Sequence, residues 1–546
     1  MRISLNLSNY KGYSWNYIES VWAKGYAFDK FGKLHQEKDL CKIFCQTPLE
    51  NLNEKISALD GLFSVLIFYN DEVVLVCDRT RTFPIFFKIH LGACFIADHA
   101  HKLIDNHEVV RFSPTSEKEF LNCGYVSGFD TLFSDIFQVQ AGEIVRIKAG
   151  RLQRNFYHLF LKTLPQNKLI QNDNLSIDLV FENIINNFYQ FSLGKNIFIP
   201  LSGGFDSRFI ALISALSKMK NVTCFTLGRY NNEEALVAEK IAKKLGLKWE
   251  FIEYNKSIIK NFLSDQEFLD FAHFSSNGVS MPFLQDYFAV KQFYNLGIRG
   301  NENVFVPGHL GDFIAGSHLT KAGGIMENSS HQQIIQGICR SQYNLITARF
   351  HDKEIESKIS SLLQYEFFNA QNKFENWNLK ERQAKFIINS SSVFNYYGYK
   401  QFFPFMNSAF FQYFQEIDDS LRLHKKLYDE YLISKYFNPN HIVLDYNSIS
   451  PRKSGTFSKA KQVFKKYLPK RLLNFVTQGK GVMHTIYYKE MTAEMSKALK
   501  KNKVQPPVPY NNNYNAIICG WYIEELKSRR PHLKFDTSQT MHFELK

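Results

Sequence analysis

No stretch of this sequence approaches the ~18 consecutive apolar residues that a membrane-crossing helix needs. The longest apolar run, Gly61 to Tyr69, is only strand-sized. Cysteine is sparse, 8 in 546 residues, and without a Cys-x-x-Cys pair; Cys41 and Cys45 are the only close two. That argues against a zinc site or a disulfide scaffold and points to free thiols in a reducing compartment. The opening Met1-Arg2-Ile3-Ser4-Leu5-Asn6-Leu7-Ser8-Asn9-Tyr10 has no sustained apolar core and no small-residue cleavage site. Export is therefore not expected, and a cytoplasmic location is. There is no GxxxxGK[ST] segment, which excludes the phosphate loop of kinases and GTPases. Acidic residues thin out towards the end: from Pro451 to Lys546 there are 19 Lys and Arg against 6 Asp and Glu, while the first 450 residues carry a net charge of only +1. Such a segment suits an anionic partner, whether nucleotide, acidic sugar, lipid surface or nucleic acid, and equally a solvated lysine face.

What the chain does contain is ordinary for folded proteins: 45% hydrophobic and 22% charged residues, in a length that calls for two or more domains. Up to about Leu164 it reads as strands broken by turns. Leu62–Tyr69 and Val73–Cys77 flank Asn70-Asp71 as a hairpin, and Ile85–Lys88, Ala93–Ala97 and Glu143–Ile147 read as further strands. The polar stretch Gln166–Asn174 reads as a linker, and Leu175–Phe191 has helical spacing. Strand and helix then alternate: Asn196–Leu201, an apolar helix from Arg208, strand Asn221–Gly228, helix Glu233–Leu245, strand Trp249–Ile252. That is the doubly wound α/β pattern. From Leu362 the chain is mostly helical and rich in aromatics.

The strongest chemical signal is Ser202-Gly203-Gly204-Phe205-Asp206-Ser207, between the first of these strands and its helix. Two glycines allow a tight turn that brings backbone N–H groups close to an anion, and the helix aims its positive end at the same spot. Ser202 and Ser207 add hydroxyl donors, and Asp206 can hold Mg²⁺ against phosphate oxygens.

These residues resemble the pyrophosphate loop of the adenylating PP-loop ATPases. The segment Pro307-Gly308-His309-Leu310-Gly311-Asp312 resembles the Ser-Gly-Glu-Gly-Ser-Asp segment of asparagine synthetase. Leu59-Asp60-Gly61-Leu62-Phe63-Ser64-Val65 and Cys77-Asp78-Arg79-Thr80-Arg81 are similar to the core of class II glutamine amidotransferase domains. The resemblance to the asparagine synthetase family runs from about residue 59 to about residue 455. It implies an N-terminal Ntn-hydrolase-like αββα sandwich over residues 1–165, a linker and helix over 166–195, an adenine nucleotide α-hydrolase-like PP-loop domain with helical additions over 196–475, and a basic extension over 476–546. It also implies ATP and Mg²⁺ as cofactors. Pro200, Ser202, Gly203, Gly204, Asp206, Ser207, Leu227 and Gly308 would bind the nucleotide, Asp206 and Asp312 the metal, and Lys453 would steady the charge on the adenylate and pyrophosphate. The partners would be a small carboxylic acid and ammonia or an amine.

Two departures stand out. An active glutaminase of this family needs a cysteine directly after the initiator methionine, and here Arg2 stands there; the family's Asn-Gly-Glu clamp is also absent from the first 58 residues. A degenerate glutaminase domain is expected, since Cys41, Cys45 and Cys77 are not N-terminal. His309 replaces the glutamate that handles ammonia in asparagine synthetases, and as a base it predicts a rate rising through about pH 6 to 7. The resemblance implies an AMP-forming amide ligase and allows, as one reaction, amidation of a sugar acid in surface-polysaccharide synthesis. Asparagine formation from aspartate, intramolecular cyclisation, tRNA modification and a non-catalytic scaffold stay open. The amidotransferase-like half speaks against nucleic acid as a partner.

Overall fold

Apolar residues at alternate positions build the N-terminal region: Ile3, Leu5 and Leu7 of strand Arg2–Ser8 are all buried on one face. The computed structural model describes residues 1–8, 12–69, 71–104, 110–161, 176–230, 232–319, 325–347, 350–364, 369–442, 486–508, 513–528 and, for the backbone alone, 538–544.

Two sheets stack face to face. One has seven strands, running Arg151–Phe156, Glu143–Lys148, Glu72–Cys77, Asp60–Phe68, Val21–Phe28 and Asn16–Ile18, with Leu34–Gln36 also paired to Val21–Phe28; all its pairings are antiparallel. The other has five, ordered Ser538–Glu544, Arg2–Ser8, Ala93–Ala97, Phe86–His90 and Phe137–Gln138. Leu5, Leu7 and Ile96 meet Leu66, Leu75 and Val145 between them. Outside, helix Glu37–Cys45 lays Leu40 and Phe44 on Phe63, Val65 and Val76. Phe86 and Ala97 on the opposite outer face pack with Phe120 of helix Pro114–Cys123. This is the αββα layering of an Ntn-like sandwich.

The third sheet is wholly parallel, in the order Lys248–Glu253, Val222–Gly228, Asn196–Pro200, Asn303–Phe305, Lys400–Gln401. Strand Asn196–Pro200 shows why both faces are covered. Ile197 and Ile199 pack among Phe209, Leu212 and Ile241 of helices Phe205–Leu216 and Glu233–Lys244, while Phe198 turns to Phe293 of helix Tyr287–Asn295 at 5.4 Å. Strand order reverses between Asn196–Pro200 and Asn303–Phe305, so the crevice beyond their C-terminal ends is the natural ligand position.

Helix Ile177–Ser192 packs Phe188 and Phe191 onto Phe402. The basic C-terminal segment is integral to the packing. Its helices Tyr488–Lys501 and Tyr514–Ser528 place Met491, Met495, Ile517 and Tyr522 in a core shared with Phe120 and Phe268. Its last strand pairs along all seven residues of Arg2–Ser8. Among the described residues no helix is long and apolar enough to cross a membrane.

Candidate functional site

A cleft of about 450 Å³ opens at the strand-order reversal. Its floor is the loop that follows strand Asn196–Pro200. Ser202 N–H donates to Ser207 Oγ at 3.1 Å, the two hydroxyls lie 3.0 Å apart, and Gly204 N–H donates to Ser202 Oγ at 3.1 Å. Arg208 Nη2 donates to Gly203 O at 2.9 Å and pins the turn from below. Gly204 precedes the first turn of helix Phe205–Leu216, whose opening N–H groups have no partner within the helix. The result is an anion cradle set by loop and helix together.

The second wall is the turn after strand Asn303–Phe305. Here glycine is required by contact: a Cβ on Gly308 would sit 2.7 Å from Asp206 Cβ, and one on Gly311 2.7 Å from Asp206 Oδ2. Between them Leu310 adopts φ 77°, a left-handed conformation that bulky residues rarely take. This tight turn delivers the Asp312 N–H onto Asp206 Oδ2 at 3.0 Å. Asp206 also accepts from the buried Tyr428 hydroxyl at 2.7 Å. Burial first, and then the neighbouring Asp312 charge, push its carboxyl well above the ordinary aspartate range, against the Tyr428 bond and the Lys425 charge. Lys425 Nζ lies 2.5 Å from Asp312 and 3.2 Å from Asp429.

Pro200, Ser202, Gly204, Asp206, Ser207, Leu227, Gly308, His309 and Asp312 thus all line one cleft. Gly203 is buried beneath it. Lys453 lies outside the described residues. His309 needs a correction: burial pulls its imidazole down to about 4, and its ring stands edge-on to Phe403 at 5.3 Å. It is neutral across the physiological range, so a rate rising through pH 6 to 7 is not its signature.

The sequence motifs did not disclose Lys425, Tyr428 and Asp429, which reach the site from the start of helix Lys426–Tyr431 and the residue before it. The only local signal is the basic pair Lys425-Lys426. Lys425 and His424 both have positive φ, 59° and 58°, a costly backbone that aims this lysine at the carboxylates. The cleft is also lined by the apolar Phe225, Leu227, Phe394 and Ile486 and by the polar Glu234, Gln285 and Asp286. Thr226 fixes that strand end by donating to Leu201 O at 2.7 Å and accepting from Trp249 Nε1 at 3.1 Å.

Among the described residues no three His, Cys, Asp or Glu side chains gather as a metal-binding group. Two carboxylates completed by phosphate oxygens and water nevertheless suit Mg²⁺, which keeps much of its own hydration.

The asparagine synthase family model matches residues 196–265, from strand Asn196–Pro200 to the end of the third parallel strand and just beyond. No curated protein matches the chain. Glutamine phosphoribosylpyrophosphate amidotransferase from B. subtilis, solved with ADP and GMP, is 11% identical over 54% of this chain and 56% of its own, with a TM-score of 0.17. A structure of the allosteric regulatory enzyme of purine biosynthesis is 10% identical over 43% of this chain and 60% of its own, with a TM-score of 0.18. The chain thus spans less than two thirds of either, and at these scores the likeness carries no weight for fold or function. The Ser202–Ser207 loop and three of the five parallel strands fall inside the matched residues: over 196–265 the chain matches the asparagine synthase family.

Proposed function

We propose that this protein is a Mg-ATP-dependent, AMP-forming amide ligase that adenylates a small carboxylic acid and passes the acyl group to ammonia or an amine. The asparagine synthase segment implies ATP-dependent amide chemistry. The observation that carries the reading further is the meeting of Asp206 and Asp312 beside the anion cradle, with Lys425 against them. Mg²⁺ bound by this pair would neutralise phosphate charge as pyrophosphate leaves.

The remaining work falls to the chain's own groups. The loop hydroxyls of Ser202 and Ser207 and the helix N-terminus receive the pyrophosphate oxygens. Tyr428 orients Asp206. Lys425, held charged by Asp312 and Asp429 although burial opposes it, stands beside the phosphates to balance their charge. A carboxylate is a poor electrophile, whereas the acyl-adenylate gives up AMP readily to a nitrogen nucleophile.

That nitrogen does not come from a thiol-driven glutaminase. Burial raises the Cys41, Cys45 and Cys77 thiols, which disfavours the thiolate that attacks glutamine. Free ammonium or an amine of the substrate is the source.

The test is isotope exchange between ATP and pyrophosphate over a panel of acids, including aspartate and uronic acids, followed by amide formation with ammonium. Acid-dependent exchange that Asp206→Asn abolishes supports the reading. Exchange independent of any acid, or unaffected by Asp206→Asn, overturns it.

A further inference from the structure

The cleft carries a carboxyl group that no described side chain pairs with. Asp286 stands before helix Tyr287–Asn295; its carbonyl accepts from Val290 N–H at 3.0 Å, but its carboxyl does not cap the helix and makes no hydrogen bond or ion pair among the described residues. It lines the same cleft as Leu227, Phe225 and Ile486, with Gln285 before it in the chain. We propose that Asp286 reads the base of the nucleotide, pairing its carboxyl with the N1 and 6-amino edge of adenine when the ring lies against Leu227 and Phe225. This rests on the nucleotide reading given above and goes beyond it by naming the residue that recognises the base.

The chemistry of the edge favours the assignment. Adenine offers an acceptor at N1 and a donor at its 6-amino group. A neutral carboxyl offers the complement, an O–H donor and a carbonyl acceptor on one carbon, so two parallel hydrogen bonds form. An ionised carboxylate can only accept, keeps the amino contact and loses the one to N1. Burial pushes Asp286 up to about 7, which supplies the neutral form.

The groups facing it do not reverse this. Tyr254 and Tyr488 stay neutral, both pushed upward by burial. Burial also raises Glu234, on helix Glu233–Lys244, while His309 stays neutral. The cations nearby have partners: Lys291 is 2.5 Å from Asp265, Arg229 is 2.7 Å from Glu490, and Lys425 is at the phosphate end with Asp312.

The experiment measures equilibrium binding to the full chain with Mg²⁺ and three probes: a non-hydrolysable ATP analogue, the same analogue lacking the 6-amino group, and inorganic pyrophosphate. In the wild type, loss of the amino group should weaken binding roughly 10-fold. In Asp286→Leu the two nucleotides should bind alike, with pyrophosphate affinity unchanged. Affinity for the ATP analogue relative to pyrophosphate, which meets the same raised Asp206 carboxyl, should fall as pH rises through about 7. Asp286→Asn, which keeps a donor and an acceptor, should bind tightly with a pH-independent ratio of ATP-analogue to pyrophosphate affinity even if the leucine variant fails to fold. Continued discrimination in Asp286→Leu, or an unchanged pH slope in Asp286→Asn, overturns the base-reading role alone. A wild type that binds neither nucleotide nor pyrophosphate overturns the nucleotide site and this role with it.

Discussion

At the scale of the residue, the cleft depends on a few atoms that have no slack. Asp206→Asn keeps the shape of the side chain but removes the charge that the proposed Mg²⁺ would share, and pyrophosphate release should fall about 100-fold or more with an unchanged melting temperature. Gly308→Ala acts through volume instead. Its new methyl would press on Asp206 Cβ, so both stability, by about 1–3 kcal/mol, and pyrophosphate release should suffer; thermal melting and the release assay report the two. For His309→Ala the expected result follows from its neutral ring: no change in the pH profile between 6 and 8, because a group held down at about 4 does not titrate there. If the mutant slows amide formation more than pyrophosphate exchange, His309 positions the nitrogen; equal losses make it a packing residue against Phe403. The residues in the glycine-rich motifs were legible because their spacing is local. Lys425 and Tyr428 were not, since they meet Asp312 and Asp206 across more than a hundred residues and depend on a left-handed backbone that no lysine or histidine announces.

At the scale of the element, strong periodicity carried the reading. Asn196–Pro200, Val222–Gly228 and Lys248–Glu253 are short apolar strands with helices between them, and their limits agree with the residue patterns to within one or two positions. The hairpin of Asp60–Phe68 and Glu72–Cys77 was equally plain. Less visible were Arg2–Ser8 and Val21–Phe28: the second is buried on both faces, with Lys24 inside, so it lacks the alternation that marks a strand. The strand Ser538–Glu544 follows a basic stretch and was read as part of an extension, because pairing across the whole chain leaves no local trace. Deleting residues 529–546 should uncover the edge of Arg2–Ser8. Its outward amides should exchange with solvent far faster than in the intact chain, while those of Val222–Gly228 stay protected, as hydrogen exchange would show.

At the scale of the molecule, the sandwich and the nucleotide-type domain share their interior. Tyr26 stacks on Phe402, Ser408 donates to both oxygens of Asp60, and Lys385 lies buried between Glu381 and the Val126 and Gly128 carbonyls. Denaturant unfolding should therefore follow one transition, with Trp22 and Trp249 fluorescence changing together; two separated transitions would show independent domains. The strand pairing at the chain ends has a further consequence, for biosynthesis. Arg2–Ser8 is made more than five hundred residues before the neighbour on one of its edges. At the ~5–20 residues per second of synthesis, that edge waits on the order of half a minute or longer with its hydrogen-bonding groups open. During that wait the nascent sandwich offers an unpaired strand edge to any other chain in reach, and this exposure to misassembly ends only when Ser538–Glu544 arrives.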